Sequence, residues 1–218
     1  MVAERVPLPD DLHQQQQEVM RRAHFAFETA FYNTLKILEN PPRDDLRNFL
    51  GYCEAWCTTL VHHHDVEEAV MFPYLQAKLD FAKELEQHEK LHEALDAFLG
   101  QIMLAQKSPS LFDPAEMIQI LKSAENNLVT HLHQEIEDLA PERLKVYTSQ
   151  EIRDLSARIA KYAMQHANLA LGLPFVRSHT PPEYKSWPPL PWAIETLCLP
   201  LLAMWHGGYW KYSPYKVN

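Results

Sequence analysis

The chain has 218 residues, of which 46% are hydrophobic and only five are glycine, a composition that favours one helical domain with a sizeable core. Its formal net charge of −9 excludes the basic surface typical of nucleic-acid-binding proteins. The three cysteines form no CxxC pair and the N-terminus has no apolar signal segment, so we expect a reducing, cytoplasmic location.

Four long segments carry apolar side chains at the 3.6-residue period of core-facing helices. These stripes run from Met20 to Leu38, from Phe49 to Tyr74, from Phe81 to Met103 and from Met117 to Leu139. Asp113 precedes Pro114 and is the predicted N-cap of the fourth helix. Short connections between such segments predict an all-α, up-down-up-down four-helix bundle over residues 1–141.

Inside the four stripes, the polar residues on which the argument depends are histidines and glutamates. A buried imidazole or carboxylate is costly unless it is paired or bound to a metal. Counted from the turns of an antiparallel bundle, these positions fall at one level of all four helices. One such histidine alone is explained by a hydrogen bond in the core, whereas the whole set indicates a metal site. The set comprises His24, His63, Glu67, His88, His92, His131 and Glu135.

Three of the predicted helices carry a pair of these residues four positions apart, which places both side chains on one helix face. The pairs are His63 with Glu67, His88 with His92, and His131 with Glu135. With His24, the set offers five imidazoles and two carboxylates, too many for one tetrahedral zinc ion. Two ions bridged by the carboxylates suit this number of ligands, and the mixed ligands favour iron, with manganese as the alternative.

Four nearby polar residues lie off the stripes. We expect His62, His64 and His133 at the surface or behind the ligands. Glu68 is expected either to be solvated or to orient a ligand histidine.

The stretches HHDVEEAVMFP and HLHQEIEDLAP each place a proline six positions after the glutamate, and QHEKLHEAL and RRAHFAFETAF supply the remaining histidines. With these motifs the sequence resembles the hemerythrin-like (HHE cation-binding) family over roughly residues 12–141. The resemblance implies a di-iron, non-heme centre with an oxo or hydroxo bridge and a vacant iron position that binds dioxygen. It implies that His88, His92 and His131 bind one iron, that His24 and His63 bind the other, and that Glu67 and Glu135 bridge them.

The sequence departs from the oxygen-carrying hemerythrins at one position. Those proteins have an aspartate five residues after the histidine of the fourth helix, where this chain has Ile136. Glu135, four residues after His131, substitutes for it, as in the wider family. This departure weakens the inference of reversible oxygen carriage but not that of a di-iron site.

Residues 142–218 form a predicted C-terminal helical extension that carries nine Lys/Arg and five Asp/Glu, a net charge of +4. Its first part predicts a fifth amphipathic helix with its apolar face from Ile152 to Leu169, followed by a proline-rich loop and a short apolar helix. Residues 190–206 are apolar, but Pro191 and Pro200 interrupt them and they are too short for a membrane span. We expect a buried or interfacial segment there.

Two roles are open for this extension. It either covers the end of the bundle or forms a dimer surface, or it builds a substrate pocket over the metals. The polar and aromatic residues of that pocket would be His166, His179, Tyr184, Trp187 and His206.

Two function classes remain. The first is an enzyme, an oxygenase or oxidase that activates dioxygen and oxidises a small organic substrate held between the bundle and the extension. The second is an oxygen- or iron-binding carrier, store or sensor without catalysis. The aromatic extension favours the enzyme, and the five-histidine ligand set favours the carrier.

Overall fold

The computed structural model describes residues 5–217, and the helical bundle expected from the sequence is confirmed. No β-strand occurs within this described range. The second bundle helix is made of three consecutive pieces: an α-helix, a π-helical turn and a short α-helix. The bundle elements are α1 (Leu12–Leu38), α2 (Leu46–Val66), the π turn (Glu67–Met71), α3 (Phe72–Leu75), α4 (Ala82–Lys107) and α5 (Pro114–Asp138).

Side-chain caps fix where two of these helices begin. The Asp11 carboxylate accepts the backbone N–H groups of the first turn of α1. Asp113 does the same for α5, with Pro114 as the first helical residue, which confirms the predicted N-cap. Single 3-10 turns, Arg43–Asp45 and Pro109–Leu111, join α1 to α2 and α4 to α5.

The hydrophobic side chains buried in the bundle form two clusters, one on either side of the polar stripe positions. α1 packs against α5 and α2, and α4 packs between α2 and α5. Trp56, Phe31 and Phe98 are fully buried, and the Trp56 ring contacts both phenylalanine rings. These residues belong to the cluster that fills the half of the bundle near the α1–α2 and α4–α5 connections. The second cluster, which includes Phe72 and Phe81, fills the other half.

The π turn has a physical cause in Pro73. A proline inside an α-helix cannot donate to the carbonyl four residues earlier and its ring collides with that carbonyl, here the carbonyl of Ala69. The chain widens one turn instead, and the Phe72 N–H donates to the carbonyl of Glu67, five residues back. Such π turns often occur at functional sites, and this one begins at a predicted metal ligand.

The C-terminal extension is helical, as predicted, but its divisions differ from those expected. The predicted fifth helix ends at His166, and Asn168 caps a new helix by accepting the Ala170 N–H. That new helix includes residues 174–179, which the sequence predicted as loop. Phe175 and His179, one turn apart on it, are fully buried and stabilise it. The elements are α6 (Pro141–Leu144), α7 (Ser149–His166), α8 (Leu169–His179), a 3-10 turn (Pro182–Tyr184), a π turn (Ile194–Cys198), α9 (Leu199–Trp205) and a 3-10 turn (Trp210–Tyr212).

The extension packs against α1 and α2 through α7 and α8, while α9 packs on α8. Leu171, Phe175 and Trp210 belong to the same hydrophobic cluster as the bundle core. The domain boundary predicted at residue 141 falls at the start of α6.

Of the apolar stretch at residues 190–206, expected to be buried or interfacial, only Leu199 is buried. Trp192 and Trp205 are among its most exposed side chains. None of the helices within residues 5–217 combines the length and apolar character needed to span a bilayer.

Candidate metal centre

The middle of the bundle holds two groups of buried ligand-type side chains, and each group draws on three or more elements. In each group the nitrogen and oxygen atoms all lie within 4.8 Å of one another. Glu67 belongs to both groups. The first consists of His24, His63, Glu67 and Glu135, and the second of His64, Glu67, His88 and His131.

Pairs of imidazole nitrogens converge within each group. The Nε2 atoms of His24 and His63 are 3.0 Å apart, and those of His88 and His131 are 3.1 Å apart. Donor atoms placed about 2.1 Å from one ion lie about 3 Å from their neighbours. Both pairs therefore have the spacing expected of neighbouring ligands on a shared metal ion.

The two carboxylates lie between the groups. Glu67 places Oε1 2.9 Å from His63 Nε2 and Oε2 3.7 Å from His88 Nε2, so its two oxygens face different groups. Glu135 Oε2 lies 3.4 Å from His24 Nε2 and 3.7 Å from His131 Nε2. Each carboxylate thus approaches one histidine of the first group and one of the second, as a bridging ligand does.

Several of these buried atoms have no hydrogen-bond partner. Both oxygens of Glu67, both oxygens of Glu135 and both nitrogens of His64 are unpartnered. Leaving one buried polar group unsatisfied costs about 1–3 kcal/mol, and more for a charged group. Two metal ions would satisfy the carboxylate oxygens and one nitrogen of His64, so the residues fit a dinuclear site.

Outer hydrogen bonds hold two of the imidazoles with Nε2 directed inward. The Nδ1–H of His24 donates to the carbonyl of Leu132 at 2.6 Å. The Nδ1–H of His88 donates to the Glu68 carboxylate at 2.9 Å. Such partners fix the ring orientation and tautomer of a ligand histidine, which is the role that the sequence left open for Glu68.

Burial keeps most of these imidazoles neutral, which is the form that binds a metal. It lowers the pKa of His63 to about 3 and that of His88 to about 4. Burial also holds the pKa of His64 and of His131 well below the usual histidine value.

The pKa values of Glu67 and His24 are raised instead. Burial and the nearby charge of Glu135 raise the pKa of Glu67 well above its usual value. Burial opposes protonation of His24, but the Glu135 carboxylate 3.4 Å away outweighs it and raises the pKa of His24. The centre therefore stabilises positive charge between its carboxylates.

Six of the seven sequence-predicted ligands lie in the two groups, and His92 does not. His92 is 27% exposed and its Nε2 lies 3.4 Å from Glu68 on the outer side of the second group. His64, expected at the surface or behind the ligands, is fully buried within that group. His62 is half-buried and His133 is exposed.

The substitution of His64 for His92 has a simple geometric reason. Successive residues of an α-helix point about 100° apart, so His63 and His64 face different neighbouring helices. His63 meets His24 of α1, and His64 stacks on His88 of α4 with ring centroids 4.1 Å apart. A sequence signal for His64 did exist, namely its position three residues before Glu67, which also shares a helix face with it.

The pocket residues predicted in the extension do not come together over the centre. His166 is exposed and stacks on Tyr162, and His206 lies between Trp205 and Tyr209. His166 is the last residue of α7 and His206 follows α9, so the two lie on different elements from the other candidates.

Tyr184 lies under the Arg22 guanidinium, and Trp187 is buried elsewhere. His179 is fully buried and bonds to the Tyr52 hydroxyl at 2.9 Å. Phe175 of the extension stacks on Phe27, whose ring in turn packs against His63.

A surface cleft of about 400 Å³ lies against His24, between α1 and α5. It is lined by Arg21, Phe25, Glu28, His133, Ile136 and Glu137. Phe27 packs 5.0 Å from the His63 ring and Phe72 packs 5.3 Å from the His88 ring. The centre is therefore enclosed by aromatic side chains, with its nearest described cleft on the α1–α5 side.

Comparison with known proteins gives one family and one relative. The family model of the hemerythrin HHE cation binding domain matches residues 15–143, more than half of the chain. The curated protein "Dimeric xanthone biosynthesis cluster protein R11" of Cryptosporiopsis sp. (strain 8999) is 22% identical over 176 residues. The match covers 78% of this chain and 66% of that protein, so the chain spans slightly less than two thirds of its relative. No solved structure gives a significant match.

Proposed function

Because the chain belongs to the hemerythrin HHE cation-binding family, we propose that it holds two iron ions and binds dioxygen at them. His24 and His63 hold one ion, and His64, His88 and His131 hold the other. Glu67 and Glu135 bridge the pair. This assignment replaces His92 of the expected ligand set by His64.

One observation carries the proposal: two buried carboxylates, each near a histidine of either group, have four oxygen atoms without a hydrogen-bond donor. A protein core tolerates such atoms when a cation satisfies them. Mixed imidazole and carboxylate ligands suit iron, with manganese as the alternative.

An iron pair supplies a binding place for dioxygen and the electrons that reduce it. The chain's own residues do the rest. Glu68 holds the His88 ring in place through its Nδ1–H, and Phe27 and Phe72 pack against the rings of His63 and His88. The Glu135 carboxylate lies 3.4 Å from His24 Nε2, where it would share an ion with that histidine.

We further propose an oxidoreductase that acts on a small organic molecule. The name of the curated relative places that protein in a biosynthesis cluster for a dimeric xanthone, which supports small-molecule chemistry for this chain as well. The cleft against His24 is the side from which such a molecule approaches the centre.

A carrier, store or sensor of oxygen or iron is the second candidate, and the enclosure of the centre favours it. His166, Tyr184 and His206 of the extension lie apart and build no cavity over the histidines. An enclosed site admits dioxygen more readily than an organic substrate.

Metal analysis of the purified protein tests the two-iron centre. We expect about two irons per chain in the wild type and the loss of one or both in Glu67→Ala. The matched variant His62→Ala, next to the centre but outside both groups, keeps the wild-type content. One zinc or no metal in the wild type, or equal loss from both variants, would contradict the proposal.

Exposure of the iron-loaded, reduced protein to dioxygen separates enzyme from carrier. The carrier predicts an absorption change that reverses when dioxygen is removed under vacuum. The enzyme predicts irreversible dioxygen consumption that an aromatic reductant accelerates. No absorption change and no consumption would contradict both.

A further inference from the structure

The extension presents a continuous apolar face to solvent, which we call the outer face. Its large side chains are 57–76% exposed. They are Trp192, Leu197, Leu201, Met204 and Trp205.

The helical geometry of the segment aligns these side chains. The π turn Ile194–Cys198 lengthens one turn, so Trp192 and Leu197 share a side although they are five residues apart. Leu201, Met204 and Trp205 of α9 follow at spacings of three and four, the neighbours on an α-helix surface. The opposite side of the segment packs onto the protein, where Leu199 is buried.

The outer face carries no charge. The exposed positions between residues 189 and 207 are all uncharged. Glu195, the one acidic residue of the segment, is partly buried and pairs with Arg177 at 2.9 Å. No lysine or arginine occurs between Lys185 and Lys211.

This lack of charge decides between the possible occupants. A helix that lies on a membrane usually carries Lys and Arg on its polar side for anionic headgroups, and this segment has neither. The chain as a whole is acidic, at −9. A second copy of the chain needs no counter-charge, because a two-fold axis brings one patch against itself and an uncharged patch meets no like charge there.

The area of the outer face is close to that of a stable dimer interface. Its five side chains expose roughly 700 Å² of apolar surface, judged from the size of such side chains. A stable specific interface buries about 800 Å² on each partner. Exposed apolar patches of this size on a monomer usually mark an interaction site.

We propose that the outer face is the interface of a homodimer, in which the Trp192–Trp205 segments of two chains pack around a two-fold axis. The interface is independent of the metal centre, because the segment packs on α8 and shares no residue with either ligand group.

Sedimentation velocity over a concentration series tests the dimer. The wild type is expected at twice its mass of 25.4 kDa. Met204→Asp brings two carboxylates into the apolar interface, so its dimer dissociation constant rises by about tenfold or more. Met103→Asp is the matched control, because Met103 is 60% exposed on α4, away from the outer face, and it stays dimeric.

A wild type that is monomeric throughout overturns the proposal, as does a Met204→Asp protein that dimerises as tightly as the wild type. Iron content measured on both variants confirms that each is folded. Flotation with phosphatidylcholine vesicles, with and without phosphatidylserine, by a monomeric wild type would assign the face to lipid instead and also overturn the dimer.

The thiol of Cys198 gives a second, local readout. It is exposed and lies one turn before Leu201, whereas Cys53 and Cys57 are buried. The rate of its alkylation by N-ethylmaleimide is expected to fall as the wild-type concentration rises, and to stay constant for Met204→Asp. A wild-type rate independent of concentration, in a protein that sediments as a dimer, would place the dimer contact elsewhere.

Discussion

His64 and His92 are the two histidines that compete for the second metal group. His64 stacks on His88 and has two unpartnered buried nitrogens, whereas His92 reaches outward to Glu68. We expect His64→Ala to lose about one iron per chain and His92→Ala to keep two, as measured by elemental analysis after dialysis. The reverse pattern would contradict the assignment of His64 and restore the ligand pair expected from the sequence.

The residues that a simple stripe describes are brought together in the structure. His24, His131 and Glu135 lie at one level of the antiparallel bundle, and helix period and turn position are both visible in a sequence. A stripe selects about one residue from each helical turn, and all selected residues point in the same direction. It could not represent His63 and His64 pointing from α2 to two different neighbours, α1 and α4.

His179 makes the stability of the protein depend on pH. Burial lowers its pKa to about 4 from the ordinary 6.5, so below pH 6.5 the unfolded chain takes up a proton that the folded chain does not. The free energy of unfolding therefore falls as pH drops from 6.5 toward 4, by about 2 kcal/mol at pH 5 for this residue alone.

Urea unfolding at pH 7 and pH 5 measures this contribution. His179→Gln is expected to be less stable than the wild type at pH 7 and to lose less stability between the two pH values. His166→Gln, the same change at an exposed position, keeps the wild-type slope. A wild-type slope in His179→Gln would show that other groups account for the acid sensitivity.

At the scale of elements, a proline follows both Glu67 and Glu135 by six residues, but its effect on the helix differs between the two sites. Pro73 follows Glu67 inside a helix that continues through a π turn, and the same spacing recurs from Ile194 to Pro200. Pro141 follows Glu135, but there the helix ends at Asp138 and Pro141 begins α6. The spacing was visible in the sequence, but packing beyond the proline decides whether the helix continues.

Gly51 allows the extension to approach α2 closely. A Cβ atom at Gly51 would collide with the Tyr209 ring, whereas a Cβ at Gly100 of α4 meets nothing within 4 Å. Alanine is a better helix former than glycine by about 1 kcal/mol, so Gly100→Ala is expected to raise the free energy of unfolding by up to that amount. Gly51→Ala is expected to lower it by about 1–3 kcal/mol, because the packed ring must move.

Urea denaturation of the two variants and the wild type compares these effects directly. Both substitutions add one methyl group within a helix, so the difference between them reports the contact with Tyr209. A stabilising Gly51→Ala would mean that the ring leaves α2 without cost, and that the C-terminal segment contributes little to the core.

At the scale of the whole molecule, the sequence suggested a bundle and an attached extension, but it could not show how far the two share a core. The composition and helix period of α7 are those of a surface helix, and only Ile152 and Leu155 of it are buried. The deeper contact comes from α8, whose position depends on the break at Asn168. Phe175 of α8 then joins the bundle core and stacks on Phe27, next to His63.

This shared core links metal binding to the stability of the entire chain. Trp56 of the bundle and Trp210 of the extension belong to one hydrophobic cluster, so we expect a single unfolding transition. A metal that binds only the folded state stabilises it by about 2.7 kcal/mol at a concentration of 100 Kd. For a chain of this size that corresponds to about 5–10 °C in Tm.

Calorimetry with iron and with a chelator measures this linkage. We expect removal of the metal to lower one common Tm, because Glu67 and Glu135 are then left buried between unpaired histidines. Glu67→Ala, which lacks one bridging carboxylate, is expected to show little response to the chelator. Two resolved transitions would contradict the shared core, since the extension would then unfold by itself. A wild-type Tm that the chelator leaves unchanged would contradict the metal centre, because no bound ion would be contributing to the folded state.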